Sequence, residues 1–258
     1  MSTRFKVLQF NMQFGQVWDD ADPDHAPVRL EAAIEEIKSH AADVIMLQEV
    51  EHAEPGNSQP PVPKNYSRLK AELGGYYSTF SFPRSDPREL PFGIGLAIFC
   101  RWPLHDAVCV NLPSPPVEFE FFGEKKTPTD RLLIGATTTI DGRAVRLLNT
   151  HLLALFMLKS SSEEHRQQRD LVAAELAKSS GPTLLTGDFN VSKHESLIEQ
   201  FGRVGYRTVQ SQEITWRRRP YVLDHIFYNE WLRPLSWNVK PTPASDHHAL
   251  SAEFEFAR

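Results

Sequence analysis

Short apolar runs of strand length recur along this chain, and helical patterns lie between some of them. Residues 6–10 and 43–47 are two such runs, and a helical pattern with apolar Leu30, Ile34 and Ile37 separates them. Many strands with a few helices between them predict mixed β-sheets that carry helices on the outside.

One pair of strand runs carries an explicit turn signal. Asp141-Gly142 joins residues 131–140 to residues 143–149, and an Asp-Gly pair in that position predicts a tight hairpin. The other predicted strands are residues 76–82, 95–101, 105–112, 182–186, 222–228 and 250–256, and the other predicted helices are residues 65–73 and 160–178.

The helix predicted at residues 160–178 would begin at a capping box, formed by Ser160 with Glu163 or by Ser161 with Glu164. Residues 52–64 are rich in proline and predict a loop, because strand and helix patterns of the same kind resume after them. No second composition regime follows, so we expect residues 1–258 to form a single domain.

Polar side chains end, interrupt or directly precede six of the strand patterns. They are Asn11, Glu49, His151, the pair Asp188 and Asn190, Asp224, and the pair Asp246 and His247. Glycine, aspartate and asparagine are ordinary turn residues, so a turn explains residues 187–190 taken alone. Glutamate and histidine are not favoured in turns, so turn chemistry does not explain the whole set. We therefore expect these strand ends to converge on one rim and to build a site there.

The residue types in this set indicate a chemistry. Carboxylate and carboxamide oxygens are hard ligands, which favour Mg²⁺ or Mn²⁺ over zinc. Two histidines among carboxylates can shuttle a proton or stabilise developing charge near neutral pH. Together these residues predict metal-assisted hydrolysis of a phosphoester.

The segments that carry these residues also occur in a familiar order. They are QFNM with Asn11, LQEV with Glu49, GLAIFCR at residues 95–101, NTHL with His151, GDFN with Asp188 and Asn190, LDHIF with Asp224, and SDH with Asp246 and His247. With this order, the chain resembles the endonuclease/exonuclease/phosphatase superfamily. The resemblance implies a DNase I-like, four-layered α/β sandwich, with two mixed β-sheets packed face to face and helices on the outside. It also implies a phosphoesterase that depends on Mg²⁺, with Mn²⁺ as an alternative.

The resemblance assigns roles to individual residues. Glu49 would be the main metal ligand with Asn11 beside it, and Asp246 would be a metal-side or supporting carboxylate. Asp188 would orient or deprotonate the attacking water, and Asn190 would hold the phosphate.

For the histidines, the resemblance implies that His247 acts at the phosphate as a proton donor or charge stabiliser and that His151 contacts a phosphoryl oxygen. Asp224 would orient one of these two histidines, and which one stays open. Within GDFN, Gly187 would permit a sharp exit from the strand and Phe189 would turn away into packing.

Two substrate classes compete. Trp216 followed by Arg217, Arg218 and Arg219 could stack a base and hold phosphates, which favours a nuclease-like phosphodiesterase, although a solvated arginine-rich loop is the plainer explanation. Arg131 could bind phosphate or form an ordinary ion pair.

The alternative substrate is a lipid or a small phosphorylated metabolite. Seven apolar residues, 152–158, follow His151 directly and could contact an apolar part of such a substrate, or could simply pack under the next helix. A third alternative, a binding protein that has lost catalysis, predicts missing ligands, whereas the ligands are present.

Composition sets the remaining expectations. The net charge of −5 and pI of about 6.1 argue against a general electrostatic grip on nucleic acid. Two cysteines in apolar surroundings fit a reducing compartment, and no signal peptide or membrane span is visible, so we expect a cytoplasmic protein with no obligate protein partner. We expect His225 and His248 to be structural, and Gln168 and Arg169 to lie on a solvated helix face.

Overall fold

The computed structural model describes residues 4–51, 63–81, 95–121 and 123–257. The strands are β1 (Arg4–Asn11), β2 (Val44–Gln48), β3 (Tyr77–Ser81), β4 (Leu96–Cys100), β5 (Leu104–Leu112), β6 (Phe119–Phe121), β7 (Glu124–Lys126), β8 (Arg131–Ile140), β9 (Arg143–His151), β10 (Thr183–Asp188), β11 (Arg207–Thr208), β12 (Asp224–Tyr228), β13 (Leu232–Lys240) and β14 (Ala249–Phe256). The α-helices are α1 (Leu30–Ser39), α2 (Lys64–Glu72), α3 (Gln167–Leu176) and α4 (His194–Gly202). Short 3₁₀ turns span Gln13–Gly15 and Leu155–Leu158.

Two six-stranded mixed sheets form the centre of the molecule. One has the order β13-β14-β1-β2-β4-β3 and the other has the order β11-β12-β10-β9-β8-β5. Each contains one parallel pair, β1 with β2 and β9 with β10, among antiparallel neighbours. Side chains alternate between faces along a strand, so every second residue of β1, β2, β9 and β10 points between the sheets.

Helices cover the outer face of each sheet. Ile34 of α1 and Leu69 of α2 pack in a buried apolar cluster with the outer face of the first sheet. Val172 of α3 and Phe201 of α4 do the same on the second sheet, in a cluster that also contains Phe189. The order helix, sheet, sheet, helix is the predicted four-layered α/β sandwich of the DNase I-like fold, and it confirms the fold class.

The turn between β8 and β9 follows its sequence signal. Ile140 pairs with Arg143, and both Asp141 (φ +51°) and Gly142 (φ +74°) have the positive φ that a type I′ hairpin requires. The proline-rich loop predicted at residues 52–64 lies mostly outside the described residues, as does the end of the strand predicted at residues 76–82.

The prediction for α3 was wrong at its start and on its exposed face. Ser161 Oγ accepts a hydrogen bond from Glu164 N, but this closes a separate turn, and the helix begins only at Gln167. Arg169 is 1% exposed rather than solvated, because its guanidinium donates to Gln200 of α4 and to the hydroxyls of Ser162 and Ser196.

Gln168 is buried as well, and it connects the segment after β9 to the end of β5. Its Oε1 accepts from Leu153 N, while its Nε2 donates to Leu112 O and Ser114 Oγ. The face of α3 that carries Gln168 and Arg169 was predicted to be solvated, but it is buried and hydrogen-bonded to neighbouring segments. Among the described residues, no helix combines the length and apolar character needed to cross a membrane.

Candidate active site

The predicted polar residues meet at one end of the sandwich, where β1, β2, β9 and β10 finish. Asn11 pairs with Gln48 across β1 and β2, and Asp188 pairs with His151 across β9 and β10. Asp188 also pairs with Asp224, the first residue of β12. The strand register therefore places polar side chains from both sheets on one rim, as the sequence predicted.

Asn11 connects the two sheets at this rim. Its Nδ2 donates to Glu49 Oε1 at 2.9 Å and to Asp188 Oδ2 at 3.0 Å. Its Oδ1 accepts from Gln13 N at 3.1 Å. A single buried amide thus holds two carboxylates at a fixed separation.

Asp224 orients His247, which answers the question that the sequence left open. Asp224 Oδ2 lies 2.8 Å from His247 Nδ1, and both side chains are buried. This contact turns His247 Nε2 towards Asp188 Oδ2, at 3.6 Å. His151 Nε2 approaches the same Asp188 oxygen from another side, at 3.4 Å, and lies 3.9 Å from Glu49 Oε1.

The backbone around the site is strained. Glu49 (φ +50°), Asn190 (φ +49°), Gln13 (φ +43°) and Phe14 (φ +55°) all adopt positive φ without being glycine. Such conformations cost about 1–3 kcal/mol each and persist where the surroundings enforce them, which is often at functional sites. Asn65 helps to hold the backbone at Phe14 and next to Glu49, since its Nδ2 donates to both Phe14 O and Val50 O.

The ionisation of the site is unusual. Burial and the nearby Asp246 carboxylate raise the pKa of the Glu49 carboxyl to about 7. Burial raises the pKa of Asp188 to about 8, although the adjacent His247 opposes the rise. Several perturbed carboxyls in one place are typical of functional sites.

The two histidines are shifted in opposite directions. Burial alone would lower the pKa of His247, but the Asp224 and Asp188 carboxylates raise it well above its ordinary value. Burial and the charge of Arg131 hold the pKa of His151 well below its ordinary value. Near neutral pH, His247 is therefore the charged imidazolium and His151 the neutral imidazole.

The donor set fits a hard divalent cation. Glu49, His151 and Asp188 place one ligand atom each within 4.8 Å of one another, and Asp188, Asp224 and His247 form a second such group. The raised pKa values of Glu49 and Asp188 reflect buried carboxylates whose charge is not balanced, which a cation beside them would relieve. Carboxylate oxygens are the ligands that Mg²⁺ and Mn²⁺ prefer.

Asp246, which the sequence placed on the metal side, has other partners. Its Oδ2 accepts from Trp216 Nε1 at 3.1 Å and from Arg218 Nε at 2.7 Å, while its Oδ1 lies 3.9 Å from His247 Nε2. Within the part of the chain that the structure describes, Asp246 lies outside both groups of clustered ligand atoms. Its backbone N donates to Gln13 Oε1.

Of the three residues predicted to bind substrate, Arg131 lies at the rim, Trp216 is buried beside His247, and Arg217 contacts other parts of the protein. Arg131 begins β8 at the rim, and its charge acts on both Glu49 and His151. Trp216 is only 7% exposed, beside His247, and Arg217 donates to Thr242 O and lies over the Trp18 ring.

The GDFN turn works as predicted in one respect and differently in another. Phe189 packs away from the site against Phe201 and Phe227, as expected. The role predicted for Gly187 was wrong: a Cβ there would lie 2.5 Å from Thr150 O, so glycine is needed for the close approach of β9. The sharp exit occurs at Asn190, whose Nδ2 donates to Leu152 O.

Sequence reasoning missed Gln13, and it did not foresee that Arg218 pairs with Asp246; Gln13 and Arg218 hold Asp246 from two sides. Nothing in the local sequence separates Arg218 from its arginine neighbours. Gln13 lies two residues after Asn11 in a turn with positive φ. The sequence gives no sign of this backbone conformation, which brings the Gln13 side chain to Asp246.

Comparison with known proteins identifies the family. The sequence pattern of the "Endonuclease/Exonuclease/phosphatase family" matches residues 8–247. The chain belongs to this family. The match contains every predicted site residue, from Asn11 to His247, and members of the family are phosphoesterases.

Individual proteins resemble the chain at identities of 29% or less. A UPF0294 protein of Yersinia pseudotuberculosis is 29% identical over 140 residues, which are 51% of this chain and 52% of that protein. The chain therefore aligns with about half the length of this curated relative. An endonuclease/exonuclease/phosphatase structure from Beutenbergia cavernae has a TM-score of 0.72 and 21% identity, covering 98% of this chain and 72% of that one.

The human Nocturnin catalytic domain, solved with a bound sulfate anion, has a TM-score of 0.69 and 22% identity, covering 98% of this chain and 94% of that one. At these identities the two structures establish the shared fold of the endonuclease/exonuclease/phosphatase family.

Proposed function

We propose that this chain is a Mg²⁺-dependent phosphodiesterase that hydrolyses its substrate by direct attack of water. The observation that carries the proposal is the Asn11-bridged pair of carboxylates, Glu49 and Asp188, which faces a histidine oriented by Asp224. Metal ligands, a base for water and a charged histidine are the parts that such hydrolysis needs.

Each residue has a chemical task in this proposal. Glu49, with Asn11 beside it, would hold Mg²⁺ or Mn²⁺, and the cation when bound supplies positive charge to the phosphoryl group. Asp188 accepts a proton from the attacking water, since its carboxylate lies between the proposed metal ligand Glu49 and His247.

The histidines act on the phosphoryl oxygens. His247, held charged by Asp224, stabilises the growing negative charge or donates a proton to the leaving oxygen. His151 is neutral and can donate a hydrogen bond to a phosphoryl oxygen without adding charge. Asn190 is buried at the rim beside Asp188, where we expect it to position the phosphate.

Nucleic acid is the substrate that the sequence favours, through Trp216 and the arginines after it. Two of these arginines already have partners within the protein: Arg218 pairs with Asp246 and Asp24, and Arg217 lies over the Trp18 ring. Arg219 is exposed and Arg131 lies at the rim, so these two cations are the ones that we expect to meet a nucleic-acid backbone.

A second candidate is a phosphoester with an apolar substituent, such as a lipid or a metabolite ester. Phe156 is half-buried against Trp216 and Tyr221, and Trp216 in turn lies beside His247. The adjacent Met157 is 63% exposed. An apolar ridge that leads away from a catalytic histidine fits an apolar group on the substrate.

One panel of substrates tests the proposal and separates the two classes. Wild-type protein is assayed with Mg²⁺, and with EDTA as the control, on bis(p-nitrophenyl) phosphate, p-nitrophenyl phosphate, single-stranded DNA, plasmid DNA and a phosphodiester lipid. We expect EDTA-sensitive cleavage of the diester. Cleavage of DNA would support the nuclease, whereas cleavage of the lipid with DNA intact would support the second candidate.

The matched variants are Asp188→Ala and His247→Ala. We expect each to reduce turnover by about 10³-fold or more, with an unchanged circular dichroism spectrum, because each removes a group that acts on the reacting atoms. Turnover near the wild-type rate in either variant would contradict the site assignment.

A further inference from the structure

A layer of buried polar side chains lies directly beneath the catalytic rim, between the two sheets. Gln9, Gln48, Asn149 and Thr186 form it, and we call these four residues the polar layer; all are fully buried. Each precedes a site residue or lies next to one: Asn11 follows Gln9 by two residues, Glu49 follows Gln48, His151 follows Asn149 by two and Asp188 follows Thr186 by two.

Beneath the polar layer the same strand faces are hydrocarbon. Val7, Met46, Leu147 and Leu184 each lie two residues before a member of the polar layer, and all belong to the buried apolar cluster between the sheets. The space between the sheets therefore changes in steps from hydrocarbon to amide and hydroxyl groups, and then to the carboxylates and imidazoles of the site. Amides buried in such a place are costly unless they are hydrogen-bonded.

The hydrogen bonds of the polar layer have a defined direction. Asn149 Nδ2 donates to two backbone carbonyls, Leu47 O and Ala97 O, so its Oδ1 must face the layer as an acceptor. Thr186 Oγ1 and Gln48 Nε2 donate to that oxygen, the latter at 2.6 Å.

The chain of hydrogen bonds continues from Gln48 through Gln9 to Asp224. Because Gln48 presents Nε2 to Asn149, it presents Oε1 to Gln9, and Gln9 Nε2 donates to it at 2.7 Å. The second hydrogen of Gln9 Nε2 is donated to Asp224 Oδ1, at 2.8 Å. The other oxygen of Asp224 holds His247 Nδ1.

Gln9 makes these two contacts at a cost. Within the described residues its own Oε1 accepts no hydrogen bond, although it is buried. An unsatisfied buried acceptor is unfavourable, so an arrangement that leaves one suggests a role beyond stability.

We propose that Gln9 is a positioning residue: its amide donates to the Asp224 carboxylate and holds it in the rotamer that points His247 Nε2 at the reacting group. The catalytic effect of this contact rests on the proposed phosphoesterase function, whereas its effect on the position of His247 does not.

The test compares Gln9→Met with Gln48→Met. Both changes replace a buried glutamine by a thioether of similar length, and each removes two hydrogen bonds of the polar layer. Only Gln9→Met removes the donor to Asp224. A loss caused by packing alone would therefore affect the two variants alike.

Two readouts are measured on each variant. The first is the NMR resonance of the proton that His247 Nδ1 shares with Asp224, assigned by its disappearance in His247→Gln. We expect this resonance to shift or vanish in Gln9→Met and to remain in Gln48→Met. The second is hydrolysis of bis(p-nitrophenyl) phosphate with Mg²⁺, where we expect kcat to fall about tenfold or more in Gln9→Met with KM nearly unchanged, and less than about threefold in Gln48→Met.

An unmoved His247 resonance in Gln9→Met would overturn the proposal, whatever the activity. Equal losses of kcat in the two variants would overturn it as well. If wild-type protein hydrolyses no ester, the proposed function fails, while the NMR comparison still decides whether Gln9 positions His247. If Gln9→Met does not fold, Gln9→Leu is measured in the same way.

Discussion

The pairing of Asp224 with His247 shows how single contacts set the chemistry of the site. Asp224 is fully buried, and its two oxygens are divided between Gln9 and His247. The arrangement fixes which ring nitrogen of His247 faces Asp188, and it keeps His247 charged. We infer that a neutral group in place of the Asp224 carboxylate would leave the shape of the site intact but disturb its protonation.

The corresponding prediction concerns Asp224→Asn. The amide has the same shape but lacks the negative charge, so His247 should lose both its charge and its preferred tautomer. We expect kcat to fall by about 10²-fold or more while the affinity for substrate changes little. Steady-state kinetics with Mg²⁺ measures this, and Asp141→Asn, the same change at an exposed position in the turn between β8 and β9, serves as the control. A kcat within a few-fold of wild type would contradict the assigned pair.

His225, the neighbour of Asp224, gives a prediction about stability. Burial lowers the pKa of His225 from 6.5 to about 4, and the nearby His194 lowers it further in the same direction. Because the folded-state pKa is depressed, the unfolded chain takes up this proton first as the pH falls. His225 therefore costs no stability above about pH 6.5, and it progressively reduces stability as the pH falls from there towards about 4.

The measurement is urea unfolding at about pH 7.5 and about pH 5 for wild type and His225→Phe. From the shifted pKa, we expect wild type to lose about 2 kcal/mol more than the variant between these conditions. Phenylalanine suits the site because the imidazole already packs with Phe189 and Phe227. Equal losses in the two proteins would show that His225 is not held neutral by the fold.

At the scale of elements, the close packing of β9 against β10 depends on Gly187. A methyl group at Gly187 would meet Thr150 O at 2.5 Å, and that oxygen belongs to the backbone and cannot turn away. The two strands would have to separate just where they deliver His151 and Asp188 to the site.

We therefore expect Gly187→Ala to lower the free energy of unfolding by about 1–3 kcal/mol and to reduce activity as well. Gly181→Ala is the matched control, since a Cβ at Gly181 meets no atom within 4 Å. Urea unfolding of the two variants measures the difference. Equal stability of the two would mean that the strands are not packed as closely as the structure places them.

The elements also show what the sequence could and could not predict. The Asp141-Gly142 turn and the strand ends at Asn11 and Asp188 were predictable because turn chemistry and strand period are local. The start of α3 was not predictable. The hydrogen bond from Glu164 N to Ser161 Oγ is of the kind that caps a helix, but here it closes a separate turn before α3. The burial of Arg169 depends on α4, which the sequence analysis did not identify.

The polar layer has a recognisable signal in the sequence. Gln9 precedes Asn11, Asn149 precedes His151 and Thr186 precedes Asp188, each by two residues in an otherwise apolar strand. Residues two apart share one face of a strand, so these pairs predict polar groups stacked in depth behind the rim. Which amide faces which partner depends on contacts between the sheets, and those contacts are not readable from one strand.

At the scale of the whole molecule, two mixed sheets bring together residues from Asn11 to His247, nearly the full length of the chain. No short segment contains the site, so catalysis and folding should be lost together when the sheets separate. The net charge of −5 and the internal pairing of Arg218 favour local contacts, rather than a broad basic surface, as the means of holding the substrate that we propose.

The Mg²⁺ dependence of bis(p-nitrophenyl) phosphate hydrolysis by wild type and Glu49→Gln decides whether Glu49 holds a catalytic metal ion. We expect the wild-type rate to rise with Mg²⁺ until it saturates and to be abolished by EDTA. At the same Mg²⁺ concentration we expect the Glu49→Gln rate to be lower by about 10²-fold or more. Hydrolysis that is indifferent to EDTA, or a Glu49→Gln rate equal to wild type, would contradict a metal-dependent phosphoesterase centred on Glu49.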